Sequence, residues 1–186
     1  MKRTLSILLA LLLVFSLTAC SLGKKIPAGQ PEPEPAGTAD PVPVETADNG
    51  KVFSCEEMRI TLTDDFAEED IDAYTGVFES SNSAVFVLRE DKSLLPGVDF
   101  DNYVELVAEA NQNAGREIGD IHRKDGIPLF EYDFTNDSTG QTFRYYTTIF
   151  ESEDAFWLVQ FTSFASDYKD LVDQFHKYAR SVTFDD

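Results

Sequence analysis

From Ala155 to Thr162 the chain reads Ala-Phe-Trp-Leu-Val-Gln-Phe-Thr, with four large apolar residues, Phe156, Trp157, Leu158 and Val159, in direct succession. Successive side chains of a strand point to opposite faces, so a strand built from this run needs cover on both sides. Other strand-like runs alternate instead. Met58, Ile60 and Leu62 are interleaved with Glu57, Arg59 and Thr61, and Phe130, Tyr132 and Phe134 with Glu131 and Asp133, which is the pattern of half-buried strands. The combination predicts an antiparallel sheet with a two-sided apolar middle.

The remaining patterns supply the rest of that sheet and two helices. Tyr74 to Glu79 and Ala84 to Arg89 read as a hairpin about Ser80-Ser81-Asn82-Ser83. Asp101 or Asn102 is placed to cap a helix in which Tyr103, Leu106, Val107, Ala110 and Ala114 form the apolar stripe, Glu105 and Glu109 face water, and Gly115 ends it. Glu117 to Arg123 follows as a strand, then a turn at Lys124-Asp125-Gly126. Asn136-Asp137-Ser138-Thr139-Gly140 makes the next hairpin turn, before Gln141 to Glu151. Ser166 is placed to cap a final helix with Tyr168, Leu171, Val172, Phe175, Ala179 and Val182 inward and Lys177 and Arg180 near its end. The predicted order is three strands, helix, four strands, helix. This is an α+β domain with an antiparallel sheet of about six to seven strands, covered by a helix on each face or by both helices on one face.

The first 50 residues follow different rules. Lys2 and Arg3 precede the apolar run Ile7 to Phe15, a secretory signal too short for a membrane span of about 20 residues. Its end, Leu17-Thr18-Ala19-Cys20, resembles the lipobox of bacterial lipoproteins. That resemblance implies a signal peptide over residues 1–19, cleavage before Cys20, and a diacylglyceryl thioether on the Cys20 sulfur, anchoring the chain to the extracytoplasmic face of the cell membrane. A plain secreted protein is the alternative. Residues 20–50 then read as a tether: six of the chain's eight prolines fall there among Glu, Ala, Gly and Thr, and such a segment buries too little apolar surface to offset its ordering entropy. Residues 51–186 form the single globular domain.

That domain resembles the PsbP-like family over about residues 51 to 184. The likeness rests on the strand Ile60-Thr61-Leu62 with Phe66 after it, on the strand Ala84-Val85-Phe86-Val87-Leu88, on the strand Phe156-Trp157-Leu158-Val159-Gln160-Phe161, and on the closing helix ending in Ser181-Val182-Thr183-Phe184. It implies an α/β/α sandwich, and a family whose members act mostly as binding or assembly modules. No catalytic residue carries over. A cystatin-like or NTF-type α+β domain is the alternative fold, although those lead with their main helix and this domain leads with strands.

Charge narrows the function further. The chain has 34 acidic and 15 basic residues, for a net charge of −19, and residues 51–186 keep −18 of it. Nucleic acid is therefore excluded as a partner, because binding phosphates requires clustered Lys and Arg. Cys55 is the one thiol left beside Cys20. The charges of Glu56 and Glu57 should raise its pKa, which makes a structural role the expectation. His122 precedes Arg123 and Lys124, a poor setting for a metal, and His176 on the flank of the last helix reads as a capping or surface residue. No metal site and no cofactor are expected.

Asp64, Asp65, Glu68, Glu69, Asp70 and Asp72 crowd one loop and could hold a cation weakly, yet lack EF-hand spacing. There is no Gly-x-Ser-x-Gly, His-Glu-x-x-His, Gly-x-Gly-x-x-Gly or P-loop. Asn136-Asp137-Ser138 fits both a glycosylation sequon and a turn, and the lipobox favours the turn. The adjacent Tyr145 and Tyr146 must point to opposite faces, and one of them, or Trp157, is a candidate to line a groove for sugar or peptide. The function expected is that of a membrane-anchored extracytoplasmic lipoprotein whose acidic domain is a non-catalytic module for an envelope protein or peptide. The alternative is a hydrolase or cation-dependent enzyme using the Asp64 to Asp72 loop.

Overall fold

A computed structural model describes residues 50–185. The signal segment, Cys20 and the tether lie outside the described residues. The chain order is β1 (Lys51–Cys55), β2 (Met58–Leu62), β3 (Ala67–Glu69), β4 (Gly76–Glu79), β5 (Ser83–Asp91), a 3-10 turn (Lys92–Leu94), α1 (Phe100–Asn113), β6 (His122–Lys124), β7 (Ile127–Thr135), β8 (Thr142–Glu151), β9 (Ala155–Phe164), α2 (Tyr168–Arg180) and β10 (Thr183–Phe184). Seven strands form one antiparallel sheet in the order β3-β4-β5-β9-β8-β7-β6, and β1-β2-β10 form a second, small one. None of the described helices is long and apolar enough to cross a membrane.

The two-sided strand is β9, the central strand and fourth from either edge, between β5 and β8. Its Trp157, Val159 and Phe161 enter one core with α2 and the small sheet, while Phe156 and Leu158 enter another with α1. The result is an α/β/α sandwich with a helix on each face, the first of the two arrangements that the residue pattern allowed. In the first core, Phe175 and Ala179 of α2 are fully buried beside Met58, Ile60 and Leu62 of β2. In the second, Tyr103 stacks on Phe156 with ring centroids 4.3 Å apart and planes 13° apart.

Several local expectations need correction. Five strands precede α1 rather than three, because Lys51–Cys55 pairs with β2 and Ala67–Glu69 pairs with β4. The small sheet is completed by β10, whose Thr183 and Phe184 oppose Arg59 and Met58. The strand expected over Glu117 to Arg123 shrinks to His122–Lys124, with Ile118 making one isolated bridge to Tyr132. The cap of α1 is Asp99, whose Oδ1 accepts from Asn102 N at 2.9 Å, two or three residues before the Asp101 or Asn102 expected. Its buried face is Tyr103, Val104, Val107, Ala108, Ala110 and Asn111, so the stripe is rotated and Ala114 lies outside it.

At the other end of α1, Gly115 stands at φ +80° as expected. Its N–H donates to Gln112 O at 2.8 Å and that of Arg116 to Asn111 O at 3.1 Å, the two bonds of a Schellman ending. α2 begins at Tyr168 after Asp167, which makes no side-chain capping bond. Ser166, the expected cap, donates to Asp167 Oδ1 at 2.7 Å instead.

Candidate functional site

Three segments distant in sequence meet beside α2. Asp64-Asp65 ends β2 in a turn in which Phe66 N donates to Thr63 O at 3.2 Å, and this drops the Phe66 ring edge-on against Tyr178 at 5.8 Å and 88°. The β4–β5 turn is tied by Ser80 N to Ser83 O at 2.9 Å and by the Ser80 and Ser83 hydroxyls at 2.8 Å. Helical spacing puts Leu171, Gln174, Phe175 and Tyr178 of α2 on one side. Between them is an open hollow of about 140 Å³ lined by these residues with Thr63, Asp65 and Asn82.

The lining has a definite chemistry. The lining residues bring hydroxyls (Thr63, Ser80, Ser83, Tyr178), amides (Asn82, Gln174) and the Asp65 carboxylate together with the apolar Phe66, Leu171 and Phe175. The Thr63 and Tyr178 hydroxyls are 2.8 Å apart and fix each other. No His, Cys, Lys or Arg lines the hollow, so the Asp65 carboxylate is its one charged group and it holds no cationic charge stabiliser. What it offers is hydrogen bonding, ring surface and one negative charge.

Of the acidic loop, only Asp65 reaches the hollow. Asp64, Asp65, Glu68, Glu69, Asp70 and Asp72 are all exposed, and among the described residues no group of three or more His, Cys, Asp or Glu is placed to hold a metal ion. The loop is in part a strand, β3, forming the outer rim of the large sheet.

The other candidates are scattered. Cys55 is buried, and its thiol is pushed up to about 12, first by burial and then by the charges of Glu56, Glu68 and Glu57. Burial therefore outweighs the neighbouring glutamates expected to raise it. His122 is exposed, its Nδ1 3.1 Å from Asp120 O. His176 is not a surface or capping residue: it is 6% exposed, with Nδ1 2.8 Å from the Tyr146 hydroxyl and Nε2 3.0 Å from Asp125 Oδ2. The Lys124-Asp125-Gly126 turn causes this, since Asp125 and Gly126 both take positive φ and fold the β6–β7 hairpin back over the helix. The hydrogen bond from His176 is the main reason the Asp125 carboxyl is held below its ordinary value.

The aromatics that were candidates to line a groove are packed among their neighbours. Tyr145 and Tyr146 do face opposite sides, but Tyr146 is buried against His176, and Trp157 is fully buried with Nε1 donating to Ser152 Oγ at 3.1 Å. Tyr145 stacks flat on Tyr132 at 4.8 Å and 5°, with the Arg116 guanidinium over Tyr132 at 5.4 Å. The seam they form with Tyr74 and Phe134 leaves no room for a water molecule. Asn136 acts as a turn residue, its Oδ1 accepting from Ser138 N at 2.9 Å and Thr139 N at 3.3 Å.

No family model and no curated protein matches the sequence. Among solved structures, a point mutant of protein Mog1 aligns at a TM-score of 0.52, covering 73% of this chain and 96% of its own length at 9% identity. The fold is Mog1/PsbP-like. The cyanobacterial PsbP of Synechocystis sp. PCC 6803 aligns at a TM-score of 0.49 and 10% identity, over 79% of this chain and 98% of its own. LpqN of Mycobacterium tuberculosis, a protein involved in cell envelope biogenesis, aligns at 0.48 and 12% identity, over 78% of this chain and 90% of its own. At such identities the likeness concerns the fold alone.

Proposed function

We propose that this chain is a lipid-anchored extracytoplasmic protein whose acidic domain binds a protein or peptide of the cell envelope without transforming it. The lining of the hollow beside α2 supports this reading: it has donors, acceptors, ring surface and one carboxylate, and no His, Cys, Lys or Arg. The anchor rests on Leu17-Thr18-Ala19-Cys20, and a diacylglyceryl group supplies the two acyl chains that stable membrane attachment needs. The segment after Cys20, read from its composition as a tether, would then join anchor and domain; an extended chain spans about 3.1 Å per residue. Such a tether suits a domain of charge −18, which anionic headgroups repel within about 8 Å.

Two measurements on the full chain test this. Cys20→Ser should move the protein from the membrane to the soluble fraction and abolish the lipid mass increment. A product equally membrane-bound, with no mass change beyond the substitution, would overturn the anchor. For binding, a photo-crosslinking residue at Gln174 in producing cells should yield a discrete adduct that is absent when the same residue replaces Glu105 on the outer surface of α1. Equal or no adducts from the two positions would overturn the binding reading.

A further inference from the structure

We propose that the hollow anchors a single lysine or arginine side chain from an extended, basic segment of a partner protein, and that this segment lies along the free edge of β3. The inference deepens the binding reading and depends on it.

Size is the first argument. At about 30 Å³ per water, 140 Å³ holds about five waters, whereas pockets for whole small-molecule ligands run to roughly 300–1,000 Å³. A cavity this small takes one residue of something larger, as the anchor pockets of protein interfaces do.

The lining then selects the residue. Leu171, Phe175 and Phe66 provide apolar surface, while the Asp65 carboxylate and the Asn82 and Gln174 amide oxygens are acceptors in the same lining. Lysine and arginine match both parts, with an aliphatic stem that packs on apolar surface and a cationic head that donates hydrogen bonds. The ring of Tyr178 adds a surface that attracts a cation. An acidic side chain would meet Asp65, and a purely apolar one would strip water from the Asp65 carboxylate without replacing its bonds.

The hollow also sits at the start of an open edge. Asp65 and Phe66 lead directly into β3, and Ser80 follows Glu79, which opposes Ala67 in the β3–β4 ladder. β3 is the outermost strand of its sheet, exposed at all three positions, and among the described residues it is paired on one side only. Such an edge accepts an added strand through main-chain hydrogen bonds, with side-chain pockets supplying selectivity. Its charges are uncompensated: among the described residues no cation forms an ion pair with Asp64, Asp65, Glu68, Glu69, Asp70 or Asp72. That field repels a second copy of the same edge and speeds the encounter with a basic segment.

The test uses the full-length chain and a fluorescent peptide of alternating Lys and Thr, about ten residues long. Fluorescence anisotropy should report binding that weakens with salt, no binding when Glu replaces every Lys, and about tenfold weaker binding when alternate peptide nitrogens are methylated. Asp65→Asn and the hollow-filling Gln174→Trp should each weaken binding about tenfold. The paired Glu105→Gln and Glu109→Gln change, which removes the same sign of charge from α1, should alter it less than about twofold. Unchanged far-UV circular dichroism and melting temperature certify the variants. Equal losses from hollow and remote variants would reduce the effect to general attraction and overturn the proposal. So would absence of binding, indifference to methylation, or sedimentation showing that a second copy occupies the edge. Those results leave the Gln174 crosslink to stand or fall separately.

Discussion

The two faces of the large sheet are sealed by different means. On one, α2 and the small sheet close a continuous apolar core in which Met58, Phe78, Val85, Trp157, Phe161 and Phe175 are each at most 0% exposed. On the other, α1 covers Phe130, Ile149, Phe156 and Leu158, and the rest of the face is closed by stacked tyrosines and hydrogen bonds. There the fully buried Gln160 donates through Nε2 to the Tyr132 hydroxyl and to Thr147 Oγ1, each at 3.1 Å. One sheet thus combines a jigsaw of ring and branched carbon with a bonded polar seam. The first depends on filled volume, and the second on satisfied donors.

Substitutions that break one mode and spare the other measure the difference. The largest effect is expected from Phe175→Ala, which empties a ring site at the centre of the α2 side and should cost about 3–5 kcal/mol. Urea denaturation would give the value, and a loss below 1.5 kcal/mol, set against that range, would show that the core collapses around the gap. Next is Gly76→Ala. A Cβ there would stand 3.1 Å from both Cβ and Sγ of Cys55, and overpacking of this kind costs about 1–3 kcal/mol. Replacing Cys55 by the smaller Ala in the same chain should recover part of the loss.

On the polar side, Tyr132→Phe removes one of the two acceptors of the Gln160 amide and should cost about 1 kcal/mol. No change in midpoint would mean that the Thr147 bond alone satisfies the seam. The Cys55 thiol gives a probe of opening that needs no mutation. With its pKa pushed up to about 12 by burial, it should react with a disulfide reagent at pH 8 only as fast as the domain opens, and at the normal thiol rate in urea.

The smallest effect concerns the clasp between Asp125 and His176. The folded carboxyl of Asp125 is depressed, so it contributes stability above its unfolded value of about 3.9 and loses it as pH falls through the folded value. A plot of melting temperature against pH should therefore lose part of its acid-side slope in Asp125→Asn. An identical slope would remove the clasp from the account of acid stability.

The same contrast explains what could be read from residues alone. A covered central strand, the hairpins at Ser80 to Ser83 and Asn136 to Gly140, the Gly115 ending and the two helices follow from local pattern, whereas the choice between one helix on each face and both on one does not. β3 did not, because Ala67-Glu68-Glu69 has no strand signal and is extended only because β4 offers a ladder. β10 has two residues, too few for any period. The cap of α1 was misplaced because Asp99, Asp101 and Asn102 are all capping residues, and Phe100 between them fits the first helical position.

The burial of His176 escapes local pattern for a related reason. Its burial depends on a turn 51 positions away in the chain. The hollow was invisible because its lining comes from a turn, a hairpin tip and a helix face, each with an ordinary local explanation. Only Asp65 stood out, as one of six acids, and composition could not separate it from the other five.

The small sheet has a consequence for assembly. β2 is flanked by β1 on one side and by β10 on the other, and the Arg59 guanidinium reaches Asp185 at 2.8 Å across 126 positions of chain. A chain made in order from its amino end presents β2 long before Thr183 and Phe184, so one margin of β2 stays bare until those distant residues arrive to cover it.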